Sequence, residues 1–207
     1  MNVLATNDNV KIRVLNNTSD SFRILLYQAD IDITARSYLV GAWKQTMLAS
    51  GGSLTANMTI DTEVGAAEEG AELNVSTKLL SAPRGSKFKI FTNEKGALDI
   101  EMTHEKNPDG TISLENDCSN QKWIKVYKDG SPILSAEIRP DFNESIKIKP
   151  KITLALGQNE ITTAFFDAAQ LSNKYEADLS NQSYLTYTLT ENIGTGKIIV
   201  DMSYDSF

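Results

Sequence analysis

With 207 residues, 41% of them hydrophobic and 23% charged, the chain can bury one large core or two of roughly 100 residues, and wholesale disorder is excluded. A formal net charge of −7, concentrated toward the C-terminal end, repels phosphate backbones and argues against nucleic acid as a partner. The single cysteine, Cys118, allows no intramolecular disulfide. No secretory leader and no run of about 18 apolar residues is present. A cytoplasmic protein without a transmembrane segment is therefore expected, with export by a signal-independent route as the alternative.

The dominant period along the chain is two. Val10–Leu15 reads as a strand with Ile12 and Val14 on one face, and Asn16–Asp20 reads as a polar turn. Phe22–Tyr27 alternates next, and the acidic Asp30-Ile31-Asp32 follows it. Ser37–Ala49 mixes strand and helix signals, but in these surroundings a strand or loop is expected. After Gly51-Gly52 comes the alternating run Leu54–Ile60. Asp61, Glu63, Glu68, Glu69 and Glu72 then form an acidic group around the small-residue segment Gly65–Ala71. Phe88 and Ile90, and later Leu98, Ile100 and Met102, continue the alternation on either side of polar turns.

Residues 11–30 lie over residues 111–130 without a gap. Ile12, Asn16, Ser19, Ile24 and Tyr27 match Ile112, Asn116, Ser119, Ile124 and Tyr127. Such an echo points to internal duplication. The two-domain reading places the boundary in the turn-rich Glu105–Gly110, giving residues 1–107 and 108–207. Ser145–Gly157 then sets Ile146, Ile148, Ile152, Leu154 and Leu156 on one face and Lys147, Lys149 and Lys151 on the other. Pro150 lies on the apolar parity and cannot donate to a ladder, so a bend, bulge or edge is expected there. The lysine row reads as a solvated face with edge-protecting charges. Ile161–Leu171 carries a weak helical signal, again expected as loop or strand. Gly194-Thr195-Gly196-Lys197 leads into a strand and reads as a hairpin turn, not a phosphate loop. The resulting expectation is an all-β, antiparallel β-sandwich protein made of two tandem similar sandwich domains, with a single larger sandwich as the alternative.

Chemistry is sparse. His104 is the only histidine, so His-rich metal sites and two-histidine mechanisms are excluded. Cys118 sits beside Glu115 and Asp117, an unfavourable setting for a thiolate. No catalytic residue is assigned, and the protein is expected not to be an enzyme. Trp43, Trp123, Tyr27 and Tyr127 are the candidate binding residues, because Trp and Tyr supply large amphipathic contact surfaces. Asp20, Asp30 and Asp32 are the candidate metal ligands, for calcium, with the acidic group around Gly65–Ala71 as a second carboxylate cluster, and no other cofactor is expected. By elimination the chain reads as a non-catalytic binding or assembly protein that meets a protein partner or itself as a homo-oligomer. A lectin-like or membrane-active, toxin-like protein touching carbohydrate or a membrane surface is the second reading, and an enzyme using carboxylate chemistry is the third.

Overall fold

A computed structural model describes residues 9–28, 30–59, 61–69, 74–157, 165–168, 171 and 173–204. Glu72, Phe207, the end of the Leu54–Ile60 strand and most of Ile161–Leu171 lie outside the described residues. The structure is all-β, as the period of two requires. Its strands are β1 (Asn9–Asn17), β2 (Phe22–Tyr27), β3 (Ile31–Ile33), β4 (Tyr38–Leu48), β5 (Ser53–Thr59), β6 (Glu63–Ala67), β7 (Leu80–Ser81), β8 (Ser86–Thr92) and β9 (Leu98–Lys106). They continue as β10 (Ile112–Asn116), β11 (Lys122–Lys128), β12 (Ser131–Ile138), β13 (Asn143–Ile148), β14 (Lys151–Gly157), β15 (Phe165–Phe166), β16 (Lys174–Asp178), β17 (Tyr184–Asn192) and β18 (Lys197–Ser203). Among the described residues no helix is long and apolar enough to cross a membrane.

Three sheets form. One runs β18-β17-β1-β5, the second β3-β13-β10-β8-β9, and the largest β16-β14-β2-β4-β12-β11-β6-β7 with β15 added on β4. A single apolar cluster reaches all three, through Ile12 and Leu185, Leu114 and Ile146, and Ile24 and Val126. Burying each such side chain stabilises the fold by roughly 1.5–3 kcal/mol. A second, smaller cluster of Leu25, Tyr27, Val40, Ala155 and Phe166 covers the opposite face of the largest sheet.

The echo in the sequence recurs in the ladders. Strand β2 meets β4 with Ile24 opposite Thr46 and Leu26 opposite Lys44, and the register shifts after Leu26. Strand β11 meets β12 with Ile124 opposite Ala136 and Val126 opposite Leu134, and the register shifts after Val126. Likewise β1 pairs antiparallel with β5 and parallel with β17, while β10 pairs antiparallel with β13 and parallel with β8. The outer ladders correspond too: Tyr187 faces Met202 where Phe88 faces Met102. Asn16 and Asn116 are both fully buried and do the same work. Asn16 Nδ2 donates to the carbonyls of Leu48 (3.0 Å) and Asp20 (2.7 Å), and Asn116 Nδ2 to those of Ile138 (2.9 Å) and Asn120 (3.0 Å). Each asparagine thereby satisfies buried carbonyls that a hairpin turn would otherwise orphan.

The partners are not the sequence neighbours. Strands β6 to β13, residues 63–148, pair chiefly among themselves, whereas β1 and β2 find β17 and β14 at the far end of the chain. The position between residues 107 and 108 is thus crossed by the β6–β11 and β8–β10 ladders as well as by β1–β17 and β2–β14. One set of strands is contiguous and the other encloses it in sequence. They meet where β4 pairs with β12, Val40 opposite Leu134, and where β3 pairs with β13, Ile33 opposite Ile146. The chain passes from one set to the other after β5 and back at Lys149-Pro150, and the short β3 also adds to the inner set beside β13. Pro150 ends β13 in one sheet and lets β14 begin in another, the break its missing N–H leads one to expect.

Candidate functional site

Each of the four aromatic candidates is placed within the sheets. Trp43 is 1% exposed, and its Nε1 donates to Asp129 Oδ2 at 3.1 Å. Asp129 (φ 50°) and Gly130 (φ 70°) form the tight β11–β12 turn, and Asp129 Oδ1 also accepts from the Thr59 hydroxyl at 2.7 Å. Tyr27 is sealed in with its ring edge-on to Phe166, centroids 5.4 Å apart. Burial, helped by Glu176, pushes its hydroxyl up to about 12. Tyr127 is buried and its hydroxyl is pushed up for the same reason, while Trp123 is half-buried between Ala67 and Glu137 on its neighbouring strands. Strand parity misleads here because the largest sheet is covered on both faces, so side chains on either parity are buried.

The acidic candidates do not converge. Asp30 binds Lys149 at 2.8 Å and Lys151 at 2.7 Å, Asp32 binds Lys149 at 2.9 Å, and Lys151 also reaches Glu176 at 2.9 Å. The two ammoniums hold the Asp30 carboxyl below its ordinary value, and the carboxylates hold Lys149 and Lys151 above theirs. Asp20 lies apart, in the Asn16 turn, where its carbonyl accepts from Asn16. Among the described residues no group of three or more His, Cys, Asp or Glu could hold a metal ion. His104 is exposed on β9, and Cys118 is buried with Sγ 3.7 Å from the Thr92 hydroxyl.

A site that sequence reasoning missed lies where the two strand sets face one another. A cleft of about 470 Å³ is lined by Thr59, Asp61 and Thr62 and by residues 147–150, at the two connections between the sets. That volume is within the range of small-molecule sites, and a boundary between units is a common place for one. Its apolar wall comes from Val10, Met58, Ile112, Ile146, Ile148 and Leu179. Its polar wall includes Gln28 and Lys128, which occupy matching positions in the echo. Gln28 donates its amide to the carbonyls of Lys149 (3.2 Å) and Lys151 (3.4 Å), but its buried Oε1 meets no donor among the described residues. Lys128 is 4% exposed. Arg84 stands at the exposed rim. Among the described residues neither cation has an ion-pair partner.

Burial pushes the Lys128 amine down to about 8; Arg84 adds to the fall, while Asp129 and Asp61 oppose it. The folded value thus lies below the unfolded one. Below pH 8 both states carry the proton and the cost of burying the ammonium is in full force. Between pH 8 and 10.5 the unfolded state holds more protons, so this group makes stability rise with pH. The shift corresponds to up to roughly 3 kcal/mol. Lys128→Met is accordingly expected to raise the urea midpoint at pH 7, with the gap from the parent closing as pH approaches 10.5. A variant less stable than the parent at pH 7 would show that Lys128 is held by contacts other than those described.

Comparison of the chain with protein-family models and with curated proteins finds no match to either.

Proposed function

We propose that this is a non-catalytic binding protein built of two β-sandwich units, an outer one enclosing an inner one in sequence, with a small-molecule site between them. The matching ladders of the two strand sets support a duplicated origin, with the first half of each repeat paired to the second half of the other. The observation that carries the binding reading is Lys128, a buried cation with no ion-pair partner among the described residues, lining a cleft beside two inter-unit connections. Stability alone does not account for a buried ammonium without a counter-ion, whereas a ligand that supplies one would. A lectin-like or membrane-active reading draws no support from Trp43 or Tyr27, whose rings are inaccessible.

Saturation-transfer NMR with a mixture of small amphipathic acids, alcohols and amines tests the reading. At least one class should give signals, and Ile148→Trp, which fills the cleft from a half-buried position, should remove them while the thermal unfolding transition is retained. Silence from every class, or signals indifferent to the substitution, would overturn it.

A further inference from the structure

The charges around the cleft say what a ligand there must carry; this step rests on the cleft being a ligand site. Six charged side chains line it, and three are already answered within the protein. Lys149 is held by Asp30 and Asp32. Asp109 accepts from the Thr111 N–H and hydroxyl, and the positive field of Lys147 helps hold it ionised. Those two carry opposite charges and offset one another. Lys128, Arg84 and Asp61 remain, two positive and one negative, without an ion-pair partner among the described residues. Asp129, which also faces the Lys128 amine, lies outside the lining and accepts from Trp43 Nε1 and the Thr59 hydroxyl. Counted over the cleft lining, the unanswered charge is +1. A single negative charge neutralises it, a dianion overshoots it, and a cation adds to a repulsion that burial already magnifies at Lys128.

The placement of the groups adds shape to the charge. Lys128 sits in the buried wall, where an ammonium has lost most of its water, and Arg84 stands at the rim, where it meets an incoming anion first. Opposite them lies aliphatic surface from Met58, Ile146, Ile148 and Leu179. A fully hydrated inorganic anion would leave that surface uncovered, and a neutral hydrocarbon would leave Lys128 unanswered. We infer that the cleft binds a small amphipathic monocarboxylate, its carboxylate against Lys128 and Arg84 and its apolar body along the aliphatic wall. A carboxylate placed there favours the protonated amine, so binding above pH 8 draws in a proton and weakens as pH rises. Asp61, Asp129 and Arg84 face the same amine and act on it at every pH in this range, so the amine is the group expected to titrate.

Isothermal titration of the whole protein with octanoate, octanol, octylamine and octyl phosphate tests this. At pH 7 octanoate should bind at least tenfold more tightly than octanol, with octylamine weaker still and octyl phosphate no tighter than octanoate. Lys128→Met should lose at least tenfold for octanoate and leave octanol unchanged. From pH 7 to 9.5 the parent should lose tenfold or more for octanoate, whereas Lys128→Arg, charged throughout, should stay nearly flat. Equal binding of octanol and octanoate, or preference for the amine or the phosphate, overturns the carboxylate assignment and leaves the cleft as a binding site. No binding by any of the four overturns both.

Discussion

Gly41→Ala is expected to destabilise the protein by about 3 kcal/mol or more, among the largest effects of any single methyl group in the chain. Gly41 lies on β4 beside its junction with β12. A Cβ there would stand 2.0 Å from the Pro132 carbonyl oxygen and 2.7 Å from its carbonyl carbon. Both atoms belong to backbone, so no side chain can swing aside, and the two strands would have to separate. Because β4–β12 joins the two halves of the largest sheet, the strain falls on the contact that unites the outer and inner strand sets. Gly157→Ala is the control. Its Cβ would meet Leu25 and Arg23 at 3.6–3.8 Å, ordinary contact distances, and its cost should stay within about 1 kcal/mol. Urea unfolding of both variants decides the matter, and equal midpoints would mean that the sheets do not approach this closely.

A fragment of residues 61–150 should fold by itself, whereas residues 1–107, cut where the sequence repeats, should not. The inner fragment keeps β6–β13 with their ladders and the buried Phe88, Ile90, Leu114, Val126 and Ile146. The N-terminal fragment keeps hairpins but strips β1 of β17, β2 of β14, β6 of β11 and β8 of β10. Isolated hairpins are marginal in water, so a collapsed or self-associated state is expected for it. Circular dichroism during urea titration, with amide dispersion in NMR spectra, reports the difference. Cooperative unfolding of monomeric 1–107 would remove the nested arrangement of units.

Strand identity was legible because the alternation is strong, and Pro150 announced its break through a missing donor. The echo was legible because buried Asn16 and Asn116 both answer turn carbonyls, a demand that holds residue type at fixed spacing. Partner choice was not legible. Parallel pairing of β1 with β17 leaves no local mark, since neither turn chemistry nor spacing links strands that far apart. The burial of the aromatic candidates was not legible for a related reason. Trp43 and Tyr27 were chosen by residue type alone, and the sheet they occupy is covered on both sides. Lys128, between Tyr127 and a turn, resembles any surface lysine at the end of a hairpin. Only its match with Gln28, also buried, hints at anything else, and that hint needs the burial to be seen.

The enclosing order of the strands also sets a schedule for synthesis. The inner set is complete once residue 148 has left the ribosome, and its ladders can then close without waiting for more chain. Strand β1, made before the inner set, has no partner on its parallel side until Tyr184–Asn192 emerges. At about 5–20 residues per second the delay is on the order of ten seconds or more. Throughout it, Ile12 and Val14, fully buried in the finished protein, stay only partly covered. Strands β1 and β2, made well before their partners β17 and β14, are therefore among the last to settle, and a holding chaperone would find its target there.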